Sequence, residues 1–140
     1  MRNRLITIFG GTGFIGGHVV RRLAARGARL RVISRDPARG ARLQPMGNVG
    51  QIVVERADLD SEAGLERLLQ GTFAVINLIG ILYETRRQTF AAVHAERPGR
   101  IAVAAAAAGV QRLVHLSALG ADPDSASAYA RSKAAGERAV

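Results

Sequence analysis

The sequence predicts an α/β fold, a doubly wound parallel sheet under helices on both faces, with strand order 3-2-1-4-5. Three observations carry this prediction. Short apolar runs with strand character recur along the chain, and segments of helical periodicity separate them. The first run, in LITIFGGTGFIGG from Leu5 to Gly17, leads straight into a glycine-spaced turn and a helix start. The intervals are too long for hairpins, so the strands are expected to be joined by crossovers and to lie parallel.

The first strand is expected at Leu5–Phe9. Gly10, Gly13 and Gly16 then lie three apart, and Gly11 adds the tighter GxGxxG spacing. A glycine at the strand end permits a tight turn, one in the middle lets backbone approach a pyrophosphate, and one in the first helical turn lets helix and sheet pack closely. The phosphates would rest on unpaired N–H groups at the positive end of the helix dipole, which is the Rossmann-type arrangement. The helix should run from Phe14 to Arg26 and stop at Gly27, with Ile15, Val19, Val20, Leu23 and Ala24 on its apolar face.

Further strands are expected at Leu30–Ile33, Gln51–Val54, Phe73–Ile79 and Leu113–Leu116. Asp36 and Pro37 read as cap and first position of a short helix, and Ser61 as the cap of a helix through Leu69 closed by Gly71. Arg86 to Ala108 is helical in composition, with Arg86 and Arg87 as its solvated start, Pro98 starting or kinking its second half and Gly109 ending it. Asp122 to Ser127 is turn-rich, and Ala128 to Val140 reads as a last helix without a stop signal. The expectation is therefore one NAD(P)-binding domain over residues 1–140, truncated after this helix and forming the amino-terminal portion of a longer protein.

Composition narrows the class. With 48% hydrophobic and 22% charged residues, the chain is that of a globular domain rather than a disordered tail. The absence of cysteine excludes disulfides and thiolate metal sites and favours an intracellular setting. No apolar run approaches the roughly 20 residues of a membrane helix. The formal charge of +9 is spread along the chain rather than blocked, so nucleic acid is not the expected partner. His18, His94 and His115 lack metal-ligand spacing and no metal is expected; Asp122 and Asp124 read as turn formers, and Tyr83 has no lysine partner.

Lys133 is the only lysine among 20 basic residues, and it follows Tyr129 by four in YARSK. On a helix that spacing puts both side chains on one face. A lysine cation beside a phenol eases its proton exchange near neutral pH, and the same ammonium can hold a ribose hydroxyl. Arginine, bulkier and effectively never deprotonated, serves this purpose less well.

With these motifs in place, the chain resembles the short-chain dehydrogenase/reductases of the extended or atypical kind, the epimerase/dehydratase-like group. The cofactor turn matches at Gly10, Gly11, Thr12, Gly13, Phe14, Ile15 and Gly16; the adenine-contacting acid at Asp58, followed by Leu59; and the fourth-strand motif bordering the nicotinamide ribose at Asn77, Leu78, Ile79 and Gly80. Where NAD-preferring relatives carry an acid after the second strand, this chain has Ser34 and Arg35. A hydroxyl and a guanidinium suit a 2′-phosphate, so the resemblance implies NADP(H) in preference to NAD(H), with Asp36 left as a cap. It also implies Tyr129 as general acid/base, Lys133 as its partner and ribose ligand, and Ser117 as the substrate-orienting hydroxyl. In LVHLSALGA the family's serine position falls on Ala118, one residue past Ser117, and a one-residue shift in a strand reverses the face. The asparagine many members carry in the preceding helix has Glu96 as its nearest counterpart.

The run from VHAERPGRIAVAAAAAGVQRLVHLSALGAD into YARSKAAGE is similar to the NADPH-binding accessory subunit of respiratory complex I and its bacterial relatives. Two functions follow from the resemblance. One is an oxidoreductase or epimerase acting on a small-molecule carbonyl or secondary alcohol. The other is an NADPH-retaining structural subunit with a respiratory-complex partner, cytoplasmic or held at the inner membrane through that partner.

Overall fold

The computed structural model describes residues 2–140. Five parallel strands form one sheet in the order β3-β2-β1-β4-β5: β1 Leu5–Phe9, β2 Arg29–Ile33, β3 Ile52–Glu55, β4 Ala74–Asn77 and β5 Arg112–His115. Ile8 pairs with Val32 on one side and Ile76 on the other, which places β1 at the centre. The expected fold class and strand order are the observed ones. The fourth strand is shorter than its apolar run: the Leu78 amide makes the last bond to Phe9, and Leu78 and Ile79 then line a cavity described below.

Two apolar layers cover the sheet, as its period-2 alternation requires. Ile6 and Ile8, with Leu30 and Val32, face Val20 and Ala24 of α1 (Phe14–Ala25) and Leu43 of the 3-10 segment Pro37–Met46. Phe9, Ile33 and Val75 face Leu65 and Leu69 of α2 (Glu62–Leu69) and Ile101, Ala104 and Ala105 of α3 (Arg97–Ala107). Full burial of each large side chain contributes roughly 1.5–3 kcal/mol. Thr7, buried between strands, satisfies its hydroxyl against that of Thr72 at 2.8 Å.

Local chemistry sets the boundaries. Asp36 accepts from the Ala38 amide at 3.1 Å, and Ser61 from that of Gly64 at 3.1 Å, so both act as the expected caps. At the far end of α1, the Gln51 side-chain amide donates to the Ala24 and Ala28 carbonyls, both at 2.8 Å, while its oxygen accepts from the Asn48 amide at 2.8 Å.

The expected helix from Arg86 to Ala108 is not continuous. Thr85 and Gln88 instead close a tight turn by exchanging backbone hydrogen bonds, so Arg86 and Arg87 form a solvated turn rather than a helix start. A π-helical turn, Ala91–Glu96, then runs into α3. Pro98 explains it: proline has no N–H for the carbonyl four residues back, that of His94, and its ring clashes there in a regular helix. The last helix, α4 (Ala128–Ala139), lies directly over this turn, with a Cβ built on Gly136 falling 2.0 Å from the His94 carbonyl oxygen.

Candidate functional site

A cavity of about 890 Å³ opens at the carboxyl ends of the strands, between the glycine turn and the segments that follow β2, β3 and β4. This is the crevice where the strand order reverses around β1, the place open α/β sheets hold their ligands.

The glycine turn fits a dinucleotide's phosphates. Gly10 has φ of +77°, and a Cβ there would lie 3.1 Å from the Leu78 carbonyl carbon. Gly11 and Gly16 do not face the cavity: a Cβ on Gly11 would meet Val32 Cγ1 at 2.7 Å, and one on Gly16 would meet Gly11 backbone at 2.5 Å. Their absence of side chain serves close helix–sheet packing. Gly13 is the extended N-cap of α1 and supplies no side-chain cap, and the first helical turn carries no acid. The leading N–H groups of Phe14, Ile15 and Gly16 are therefore left to an anion. Phe14 and Ile15 do not line the cavity with their side chains and offer it only their amides, the Phe14 side chain being 84% exposed.

At one end of the cavity, Ser34, Arg35, Arg39 and Arg56 form the wall with Asp36. Ser34 is committed internally: its hydroxyl donates to the Asp36 carbonyl at 2.9 Å and lies 3.3 Å from that of Thr12. The cationic character there comes from the three guanidinium groups, and among the described residues none of them joins an ion pair. Arg39 and Arg56 escaped the sequence reading. The available signal was position, because Arg56 directly follows β3 and Arg39 stands four residues after Arg35. Arg42 reaches back to donate to the Thr12 carbonyl and ties the 3-10 segment to the glycine turn.

Asp58 and Leu59 line the same cavity, and the Asp58 carboxylate accepts from the Asp60 amide at 2.9 Å. Asp60 pairs with Arg97 at 3.8 Å and Arg100 at 3.6 Å, fixing the segment after β3 to α3. Leu78, Ile79 and Gly80 also line it, whereas Asn77 is buried behind them. Asn77 shapes the loop instead: its side-chain oxygen accepts from the Ile79 amide at 3.2 Å, and its NH2 donates to His115 Nδ1 at 3.0 Å.

Tyr129 and Lys133 belong to α4 and do not line the dinucleotide cavity. The half-buried Tyr129 ring lies edge-on to His94 at 5.4 Å and to Phe90 at 5.8 Å. Lys133 is only 4% exposed, and its Nζ donates to the Leu116 carbonyl at 2.8 Å. Burial holds its ammonium below the ordinary lysine range, with the nearby Glu137 carboxylate opposing the shift. Ser117 follows Leu116, and its buried hydroxyl has no hydrogen-bond partner. Glu96 is exposed and faces none of these groups; the side chain turned toward α4 is that of His94, two residues earlier. The π-helical turn shifts the register, which a regular helical count from the sequence could not foresee.

Residues 2–134 match the NmrA-like family. The chain belongs to the NmrA-like family. This member is similar to the 40 kDa subunit of mitochondrial NADH-ubiquinone oxidoreductase of Neurospora crassa, at 37% identity over 96% of the chain and 36% of that subunit. It is also similar to a ceramide reductase of Caulobacter vibrioides, at 37% identity over 97% of the chain and 41% of the reductase. Among solved structures, Pen from Bacillus thuringiensis shares the fold with a TM-score of 0.84 at 19% identity, covering 98% of the chain and 45% of Pen. The NmrA-like chain thus spans about two fifths or less of these curated relatives. Such a domain is a nicotinamide-dinucleotide-binding domain of Rossmann type. Among the described residues, no helix is long and apolar enough to cross a membrane.

Proposed function

We propose that this NmrA-like chain binds NADP(H) in preference to NAD(H) and serves an oxidoreductase or epimerase acting on a carbonyl or secondary alcohol. The observation that carries the reading is the uncapped mouth of α1 opening on a cavity whose wall bears Arg35, Arg39 and Arg56. The N–H groups after Gly13 would hold the pyrophosphate, and the guanidinium groups a 2′-phosphate, with Arg able to bond it in bidentate fashion. Asp58 and Leu59 would border the adenine, and Leu78 to Gly80 the nicotinamide ribose. Bound there, the nicotinamide supplies hydride-transfer chemistry. Tyr129 Oη would exchange the proton on the substrate oxygen, Lys133 would favour that exchange and hold a ribose hydroxyl, and Ser117 would orient the substrate.

Titration of the purified full-length protein with NADPH and NADH tests this reading. Arg35→Ala is expected to weaken NADPH by about tenfold to a hundredfold, the size of a charge-assisted hydrogen bond, and to leave NADH nearly unchanged. Equal losses for both dinucleotides would remove the 2′-phosphate assignment.

A second reading is favoured by the relatives named as subunits of NADH dehydrogenase, at 37–38% identity. In it the chain retains NADPH as a structural element, stabilised by ligand linkage, and is held at the inner membrane through its partners. Mass spectrometry of gently purified protein separates the two, since bound NADPH that no carbonyl compound consumes would favour the subunit.

A further inference from the structure

His94 is fully buried on the π-helical turn, and both ring nitrogens are committed. Nε2 lies 3.0 Å from the Ile81 amide nitrogen, and because a backbone N–H only donates, Nε2 must be the bare acceptor. The neutral ring then carries its proton on Nδ1, which donates at 2.8 Å to Ser132 Oγ. Ser132 Oγ in turn donates to the Tyr129 carbonyl at 2.7 Å. An obligate donor at one end and an obligate acceptor at the other fix the direction of every bond in the chain. Ile81 belongs to the loop that lines the cavity, and Tyr129 to α4, so one imidazole spans the two.

We propose that His94, held as the Nδ1–H tautomer, is a positioning residue that fastens the cavity loop at Ile81 to the Tyr129 turn of α4, coupling dinucleotide seating to the presentation of Tyr129. The coupling rests on the function proposed above; the fastening does not. Three further features serve the same end. Pro98 forces the π-helical turn that brings His94 to face α4. The bare backbone of Gly136 lets α4 approach the His94 carbonyl. Phe90 stacks on the imidazole at 5.3 Å and 18°, and Tyr129 closes its edge.

The surroundings favour the neutral ring. The ionisable groups facing the ring are Lys133 and Tyr129 from α4 and His115 from β5; Glu137 acts on Lys133 and His115. Burial and then the Lys133 ammonium hold His94 below the ordinary histidine value of 6.5 and outweigh the backbone at Ile81, which pulls the other way. When a second proton does arrive, Nε2–H confronts the Ile81 N–H donor to donor, and the loop loses its tether.

Two measurements on the full-length protein decide the matter. In 15N-histidine-labelled protein at pH 7.5, the resonances lost in His94→Asn should report an Nδ1–H tautomer with bare Nε2; the opposite tautomer or an imidazolium would overturn the fastening, with no cofactor required. NADPH affinity is then compared at pH 7.5 in wild type, in His94→Gln, whose side-chain oxygen can accept from Ile81, and in His94→Leu, which offers no acceptor. His94→Gln should stay near wild type and His94→Leu should bind roughly fivefold more weakly, the size of one hydrogen bond. Equal affinity in all three would overturn the coupling. A wild type that binds no NADPH overturns the functional reading, and the tautomer alone then decides the fastening.

Discussion

Lys133 Nζ donates to the Leu116 carbonyl at 2.8 Å and so joins α4 to the end of β5. Burial holds this lysine below its ordinary value of 10.5, so the folded chain releases the proton at a lower pH than the unfolded chain does. Between those two values the unfolded state binds more protons, and stability rises with pH. Urea unfolding of wild type and Lys133→Met is therefore expected to show a difference that moves in favour of the wild type as pH climbs toward 10.5. A difference independent of pH would mean that the ammonium pays no desolvation cost.

Tyr129→Phe separates chemistry from binding. If the protein reduces a carbonyl, turnover should fall by about a hundredfold to ten-thousandfold, the usual contribution of a positioned acid/base. NADPH affinity should stay unchanged, because Tyr129 does not line the cavity. Retained turnover would remove the proton-transfer role.

Two helical glycines should respond oppositely to alanine. At Gly17 a Cβ meets nothing within 4 Å, so Gly17→Ala should stabilise by about 0.5–1 kcal/mol. At Gly136 a Cβ would lie 2.0 Å from the His94 carbonyl, and Gly136→Ala should cost about 1–3 kcal/mol as overpacking. Thermal unfolding of the pair, with opposite shifts in Tm, checks the approach of α4 to the π-helical turn.

Asp36 offers a test of cofactor choice that leaves every arginine in place. Its carboxylate caps the Pro37–Met46 segment, so Asp36→Ala should lose about 0.5–2 kcal/mol of stability. The same change removes a negative charge from the cavity wall and should tighten NADPH while leaving NADH nearly unchanged. A selective loss of NADH would make Asp36 a ribose ligand and reverse the preference.

The sheet and its glycine turn were legible because each rests on a local rule. A short apolar run marked β1, Asp36 and Ser61 announced their helices as caps, and the positive φ of Gly10 follows from its place at the strand end. The cavity wall was legible only in part. Ser34 carries its signal in sequence but spends its hydroxyl on Asp36 and Thr12, whereas Arg39 and Arg56 meet Arg35 only after the strands are aligned. His94 was hidden for a different reason. Its orientation depends on a helix forced wide by Pro98, and the resemblance offered Glu96 as the counterpart of the family's asparagine instead.

The threefold grip of Gln51 on Ala24, Ala28 and Asn48 lies at the pole opposite the cavity. It clamps the carbonyl tip of α1 to the floor of the sheet, adding neutral donors at the end of the dipole whose last turn already carries the basic Arg22. A guest arriving at Gly13 thus completes the one tip of the rod whose leading N–H groups lack a side-chain partner.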